Sequence, residues 1–133
     1  MKGVAMGVSP DLKLFDITHE IPAYNIWEAA YRLEQTVPYW PAGTVFVSVV
    51  DPGVGTNRKS VVLKTKSGHF IVTPDNGTLT LIAESLGIEA IREIDEAVNR
   101  RKGSIYNCIT LSTSCLPGII FWPLWDNILS LKN

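Results

Sequence analysis

Thr44-Val45-Phe46-Val47-Ser48-Val49-Val50, running straight into Asp51-Pro52-Gly53-Val54-Gly55, is the stretch that decides the fold. Seven residues dominated by valine, with no alternation of polar and apolar positions, predict a strand covered on both faces, as in a parallel or mixed sheet. The glycine-rich turn that follows lies where a buried strand ends, the place where open α/β sheets bind ligands. Upstream, Ile26, Ala29, Ala30, Leu33 and Val37 recur at helical spacing. Asn25, with Glu28 three places on, supplies the acceptors that the first-turn amides need, and Pro38 and Pro41 end the helix. Further upstream, Leu12 to Thr18 predicts a strand leading into Glu20-Ile21-Pro22, and Lys2 to Val8 a short helix stopped by Ser9-Pro10.

Downstream, Ser60 to Lys64 and Phe70 to Val72 are β-rich runs around Ser67-Gly68, which predicts an antiparallel hairpin with His69 exposed at its start. Leu79, Ile82, Ala83 and Leu86 give one apolar helical face, opened by Thr78 and closed by Gly87. Ala90 to Ile94 returns to strand. Strands alternating with helices, plus one hairpin, predict an α/β fold with a three-layer mixed sheet and flanking helices. Two regions are expected: residues 1–103, and an apolar tail over 104–133. Beyond Gly103 the only charged residues are Asp126 and Lys132. Leu116 to Trp125 is apolar but broken by Pro117, Gly118 and Pro123, so it suits neither a membrane helix nor an uninterrupted strand.

Composition excludes some classes. In 133 residues, 46% are hydrophobic and the formal charge is −1, which is enough apolar material for a core but no basic field for nucleic acid or an anionic membrane. The expected partner is a small molecule or a protein, in the cytoplasm, since Met1 to Gly7 carries no secretory pattern. Cys108 and Cys115 lack the spacing of a zinc or redox pair, and no metal site is expected.

Asp51 and Arg58, seven residues apart across a glycine-rich turn, have the chemistry to converge on one small polar group. The alternative is an ordinary turn with Asp51 on backbone amides and Arg58 in solvent. A Walker loop is excluded because Arg58, not glycine, precedes Lys59-Ser60, and a dinucleotide fingerprint because its third glycine is missing. Asp75 and Asn76 in Thr73-Pro74-Asp75-Asn76-Gly77 sit at a strand-to-helix edge, as ligand-facing residues or as caps. Tyr24 suits stacking on a ring or packing. His19 suits a base or a structural hydrogen bond.

Taken in order, Lys2-Gly3-Val4, Asp16-Ile17-Thr18-His19, Pro41-Ala42-Gly43-Thr44-Val45, Val49 through Arg58, and Pro74-Asp75-Asn76-Gly77 resemble the S-adenosylmethionine hydroxide adenosyltransferases, the adenosine-forming SAM hydrolases related to fluorinase and chlorinase. The resemblance covers about residues 1–103. It implies an α/β domain followed by a β-barrel domain, a homotrimer with substrate between subunits, and no cofactor, since S-adenosylmethionine is itself the substrate. It also implies attack of water on ribose C5′, with Asp51 and Arg58 holding the water, Tyr24 against the nucleoside, and Asp75 and Asn76 in support. Relatives carry an aromatic residue at Asp51 when the nucleophile is a halide. Three family features have no counterpart in the sequence: an opening Thr-Asp-Phe-Gly whose aspartate binds the ribose, a Thr-Phe-His-Gly-Arg-Asp segment with a catalytic histidine, and the barrel. The resemblance therefore implies a chain truncated at both ends, its tail frameshifted near Ser104, and an inactive fragment. The competing readings are a non-catalytic interaction module and a domain for another adenosine compound.

Overall fold

The computed structural model describes residues 2–53 and 56–95, and the backbone of 119–121. In chain order the elements are α1 (Lys2–Val8), β1 (Phe15–Thr18), α2 (Ile26–Thr36) with a 3₁₀ turn at Val37–Tyr39, β2 (Val45–Ser48), β3 (Ser60–Thr65), β4 (Phe70–Pro74), α3 (Thr80–Leu86), β5 (Ile88–Glu93) and β6 (Ile119–Phe121). The strands form one mixed sheet in the order β1-β6-β2-β4-β3-β5. This is the α/β mixed sheet with helices that the alternating pattern predicts.

β2 lies inside the sheet, parallel to β4 with Val45↔Phe70, Phe46↔Ile71 and Val47↔Val72 in register. Because side chains alternate along a strand, this register sorts residues by face. Phe46, Leu63 and Ile71 share one face with Ala29, Leu33, Val37 and Ile82, so α2 and α3 cover that side. Val45, Val62 and Phe70 form a smaller cluster on the other, with Val72 and Ile94 against it. Phe46, Leu33, Leu63 and Ile71 are wholly buried, and each such side chain contributes about 1.5–3 kcal/mol of burial.

Local chemistry sets the ends. Asn25 Oδ1 accepts from the Glu28 amide at 3.0 Å and starts α2 as expected. Several boundaries move. β1 begins at Phe15 rather than Leu12, and β5 spans Ile88–Glu93 rather than Ala90 to Ile94. α3 begins at Thr80, because Thr78 is drawn into a turn by Asn76, whose Oδ1 accepts from its amide at 3.2 Å and its hydroxyl at 2.6 Å. β3 and β4 form the predicted antiparallel hairpin, with Gly68 at φ +85°. β5 is a charged, exposed edge strand tied by Lys64–Glu89 and Lys59–Glu93 ion pairs. Inside the broken apolar tail, the three residues between Gly118 and Trp122 pair as a short strand.

His69 is a correction. It is 4% exposed, not solvated. Its Nε2 lies 2.8 Å from the Trp40 carbonyl, which can only accept, so Nε2 carries a proton; Nδ1 lies 2.9 Å from Ser67 Oγ. The ring fastens the hairpin turn to the entry of β2. Replacing it (His69→Ala) removes both bonds and should cost about 1–3 kcal/mol, read from the urea unfolding midpoint.

Candidate functional site

Topology gathers the loops. β4 runs parallel to β2; β6 is antiparallel to both β1 and β2, so β1 is parallel to β2; and β5, antiparallel to β3, shares the same sense. The carboxyl ends of β1, β2, β4 and β5 therefore meet at one edge of the sheet, together with the start of β3. The loops after Thr18, Ser48, Pro74 and Glu93 open there, where sheets of this kind take ligands.

At this edge β2 continues through buried Val49 and Val50 to Asp51, whose carboxylate is fully enclosed. Its Oδ1 accepts from the Gly53 amide at 2.9 Å, and its Oδ2 is ion-paired with Arg58 Nη2. The turn between them is closed by Thr56, whose hydroxyl donates to the Gly53 carbonyl at 2.6 Å. Arg58 Nη1 donates to the Lys59 carbonyl at 3.4 Å and to Ser60 Oγ at 3.5 Å. Gly53 packs inside this turn: a Cβ there would meet Asp51 Oδ1 and Thr56 Oγ1 at 3.4 Å and Arg58 Cδ at 3.5 Å. The Asp51–Arg58 pair is thus a buried carboxylate capped by a guanidinium that is largely covered but still reaches solvent. An ordinary turn with a solvated arginine is not what forms.

A pocket of about 730 Å³ opens beside the pair, lined by Thr56, Asn57, Arg58, Lys59, Ser60, Glu93, Ile94 and Asp95. Asn76 stitches the neighbouring loop to β2, its Nδ2 donating to the Val50 carbonyl at 2.9 Å, one residue before Asp51. The Asp75 amide donates to the Lys59 carbonyl at 2.8 Å while its side chain faces out. Gly77, at φ +97°, brings this loop against the start of α2, where a Cβ would stand 4.0 Å from Ile26 Cγ2. Tyr24 lies in that same entry loop. It is 58% exposed, holds φ +65°, and its side chain makes no hydrogen bond or ring contact among the described residues. A bulky residue in the left-handed region is strained.

Neither histidine meets the pair. His69 lies at the opposite end of β4, on Trp40 and Ser67. His19 Nε2 is 3.2 Å from Asp16 Oδ1, while Lys2 Nζ holds Asp16 Oδ2 at 2.5 Å. The hydrogen bond from Lys2 keeps the Asp16 carboxyl below its usual value, against the opposing effect of desolvation and with further help from His19. This Lys2–Asp16–His19 cluster joins residues that lie apart in sequence. The acidic wall at Glu93 and Asp95 is equally hidden, since only strand pairing brings it opposite Lys59. No group of acidic, histidine or cysteine residues suited to a metal occurs among the described residues.

The profile of the SAM hydroxide adenosyltransferase N-terminal domain matches residues 1–108. The chain belongs to this family. An (R)-S-adenosyl-L-methionine hydrolase of Methanocaldococcus jannaschii is 48% identical over 100 residues, covering 72% of this chain and 38% of that protein. A fluorinase of an Actinoplanes species is 28% identical over 112 residues, 67% of this chain and 38% of that protein. The crystal structure of an uncharacterised conserved protein from Thermotoga maritima superposes with a TM-score of 0.70 at 44% identity, covering 71% of this chain and 37% of that one. The chain thus spans little more than a third of the length of these relatives, and the SAM hydroxide adenosyltransferase fold is present as its α/β part.

Two measurements probe the site. Arg58→Ala strands a buried carboxylate and should cost about 3–5 kcal/mol in urea unfolding, whereas Asp51→Ala/Arg58→Ala should recover part of that loss. For Asp16 the depressed folded pKa means its contribution is present above the unfolded value of about 3.9 and is lost as pH falls through the lower folded value. Asp16→Asn should therefore cost no more than about 1 kcal/mol near neutrality, and the difference from the parent should vanish on acidification in the same unfolding assay.

Proposed function

We propose that residues 1–103 carry the water-activating part of an adenosine-forming S-adenosylmethionine hydrolase. The observation that carries this reading is the buried Asp51 carboxylate paired with Arg58 at the carboxyl edge of the sheet. Water attacks ribose C5′, an O–C5′ bond forms as the C5′–S⁺ bond breaks, and methionine departs as a neutral thioether that needs no acid. The demand falls on the nucleophile, because water has a pKa of about 15.7 and must lose a proton as it attacks. Asp51 orients the water and takes that proton; Arg58 holds the carboxylate and sets the local potential.

A carboxylate at this position repels halide, which supports water over the halide chemistry of the relative named fluorinase. Tyr24, exposed in a strained backbone, offers its ring to the nucleoside, and the loop of Asp75 and Asn76 holds the edge in shape. The reaction needs neither metal nor redox cofactor. The substrate is a small molecule, the assembly is a trimer with substrate between subunits, and the compartment is the cytoplasm. No described helix is long and apolar enough to cross a membrane.

We also propose that this chain does not turn over by itself, and that 104–133 is a tail divergent in sequence from the family. Both histidines are committed elsewhere, His19 to Asp16 and His69 to Trp40, so neither assists the water at Asp51. Adenosine release from S-adenosylmethionine, followed by chromatography, should stay at the spontaneous rate. A chimera with residues 1–103 replacing the matching segment of the Methanocaldococcus jannaschii hydrolase should release adenosine, and Asp51→Asn within it should lower kcat by about 10²-fold or more. A folded chimera indifferent to Asp51→Asn overturns the hydrolase reading; robust turnover by the 133-residue chain overturns the proposed inactivity.

A further inference from the structure

β1 has one ladder partner among the described strands, and it comes from far along the chain. That partner is β6, which lies outside the matched residues 1–108. Three residues make the join. Phe121 stands opposite Phe15 and Phe46, Ile120 opposite Asp16 and Val47, and Ile119 opposite Thr18 and Ser48. β2 and β1 are thus separated by two strand spacings, about 9.5 Å, too far for any backbone bond between them. Phe46 and Ser48 are buried, and leaving a buried backbone group unpaired costs about 1–3 kcal/mol. The edge of β2 therefore demands a strand.

Other links reach β1 as well: the tilted Phe15–Trp40 ring contact at 5.5 Å, Ile17 packed against the main core, and the exposed Lys2–Asp16 pair. All are side-chain contacts, which set register less strictly than a ladder does. Because Thr18 and Ser48 both face Ile119, the end of β1 is level with β2 three residues before Asp51. A two-residue slip of β6 along β2 would carry β1 about 7 Å along the edge, and with it the start of the loop at His19, ahead of Ile21, which is held in the core.

We propose that Ile119–Phe121 is a donor strand, supplied by the same chain from beyond the family domain, that fills a one-strand slot between β1 and β2 and sets the position of the β1 end and His19 relative to Asp51. The slot reads backbone, and its occupant is a short apolar segment bounded by Pro117-Gly118 and Pro123. This assignment is independent of the hydrolase reading, since it concerns pairing and not chemistry.

Hydrogen exchange of the 133-residue chain tests it. Ile120→Pro removes a donor and breaks a central strand, so amides of residues 15–18 and 46–48 facing β6 should exchange at least about tenfold faster, while those of Val62 and Ile71 keep their protection. A folded variant with unchanged exchange at 15–18 and 46–48 overturns the proposal. A second variant covers the case in which Ile120→Pro unfolds the whole sheet. Val47→Cys/Ile120→Cys, in a Cys108→Ser/Cys115→Ser background, places thiols directly across the β2–β6 ladder. On oxidation it should form a disulfide within one chain at every protein concentration. A cross-link between two chains assigns the slot to a second copy, and no cross-link at all leaves it without this occupant; either result overturns the donor strand.

Discussion

The parallel pairing of β2 with β4 is the constraint on which the rest depends. It sends the carboxyl ends of two buried strands to the same edge, so that the loops beginning at Asp51 and at Asp75 must meet. The meeting is fastened by the Asp75 amide on the Lys59 carbonyl and by Asn76, which holds the Val50 carbonyl while its oxygen folds Thr78 into a turn. A site built on such strand ends inherits their precision, because the strands are held by the core beneath them and cannot drift independently.

On that frame the Asp51–Arg58 pair gains its character from burial. A carboxylate enclosed at the end of a strand is tolerable only with a charge partner and amide donors, and Arg58 and the Gly53 amide supply them. The same enclosure that makes the pair costly to break makes its field strong, since little water screens it. Arg58 keeps a path to solvent through the adjoining pocket, and Asp51 is enclosed behind it.

The sheet is less uniform than its strand order suggests. From β2 through β5 it is a compact unit formed by residues 45–93, whereas β1 is attached through a three-residue strand from the tail. Family membership over residues 1–108 and sheet membership are therefore not the same set of residues. His19 lies on the far side of that join, whereas Tyr24 is held on the near side, between buried Ile21 and the start of α2.

Much of this was legible in the chain itself. The valine run of β2, the Asn25 cap, the Ser67-Gly68 hairpin and the helical period around Leu33 and Ile82 all state local preferences that the fold obeys, because each rests on neighbours within a few residues. The Asp51 to Arg58 turn was legible for the same reason. What the sequence left undetermined depends on contacts between distant segments. Two tautomer-defining bonds bury His69, cross-strand pairing sets Glu93 opposite Lys59, and Lys2 and His19 converge on Asp16. Whether Arg58 turned outward or inward was likewise decided by tertiary structure, since only enclosure of Asp51 makes an unpaired carboxylate too costly and draws the guanidinium over it.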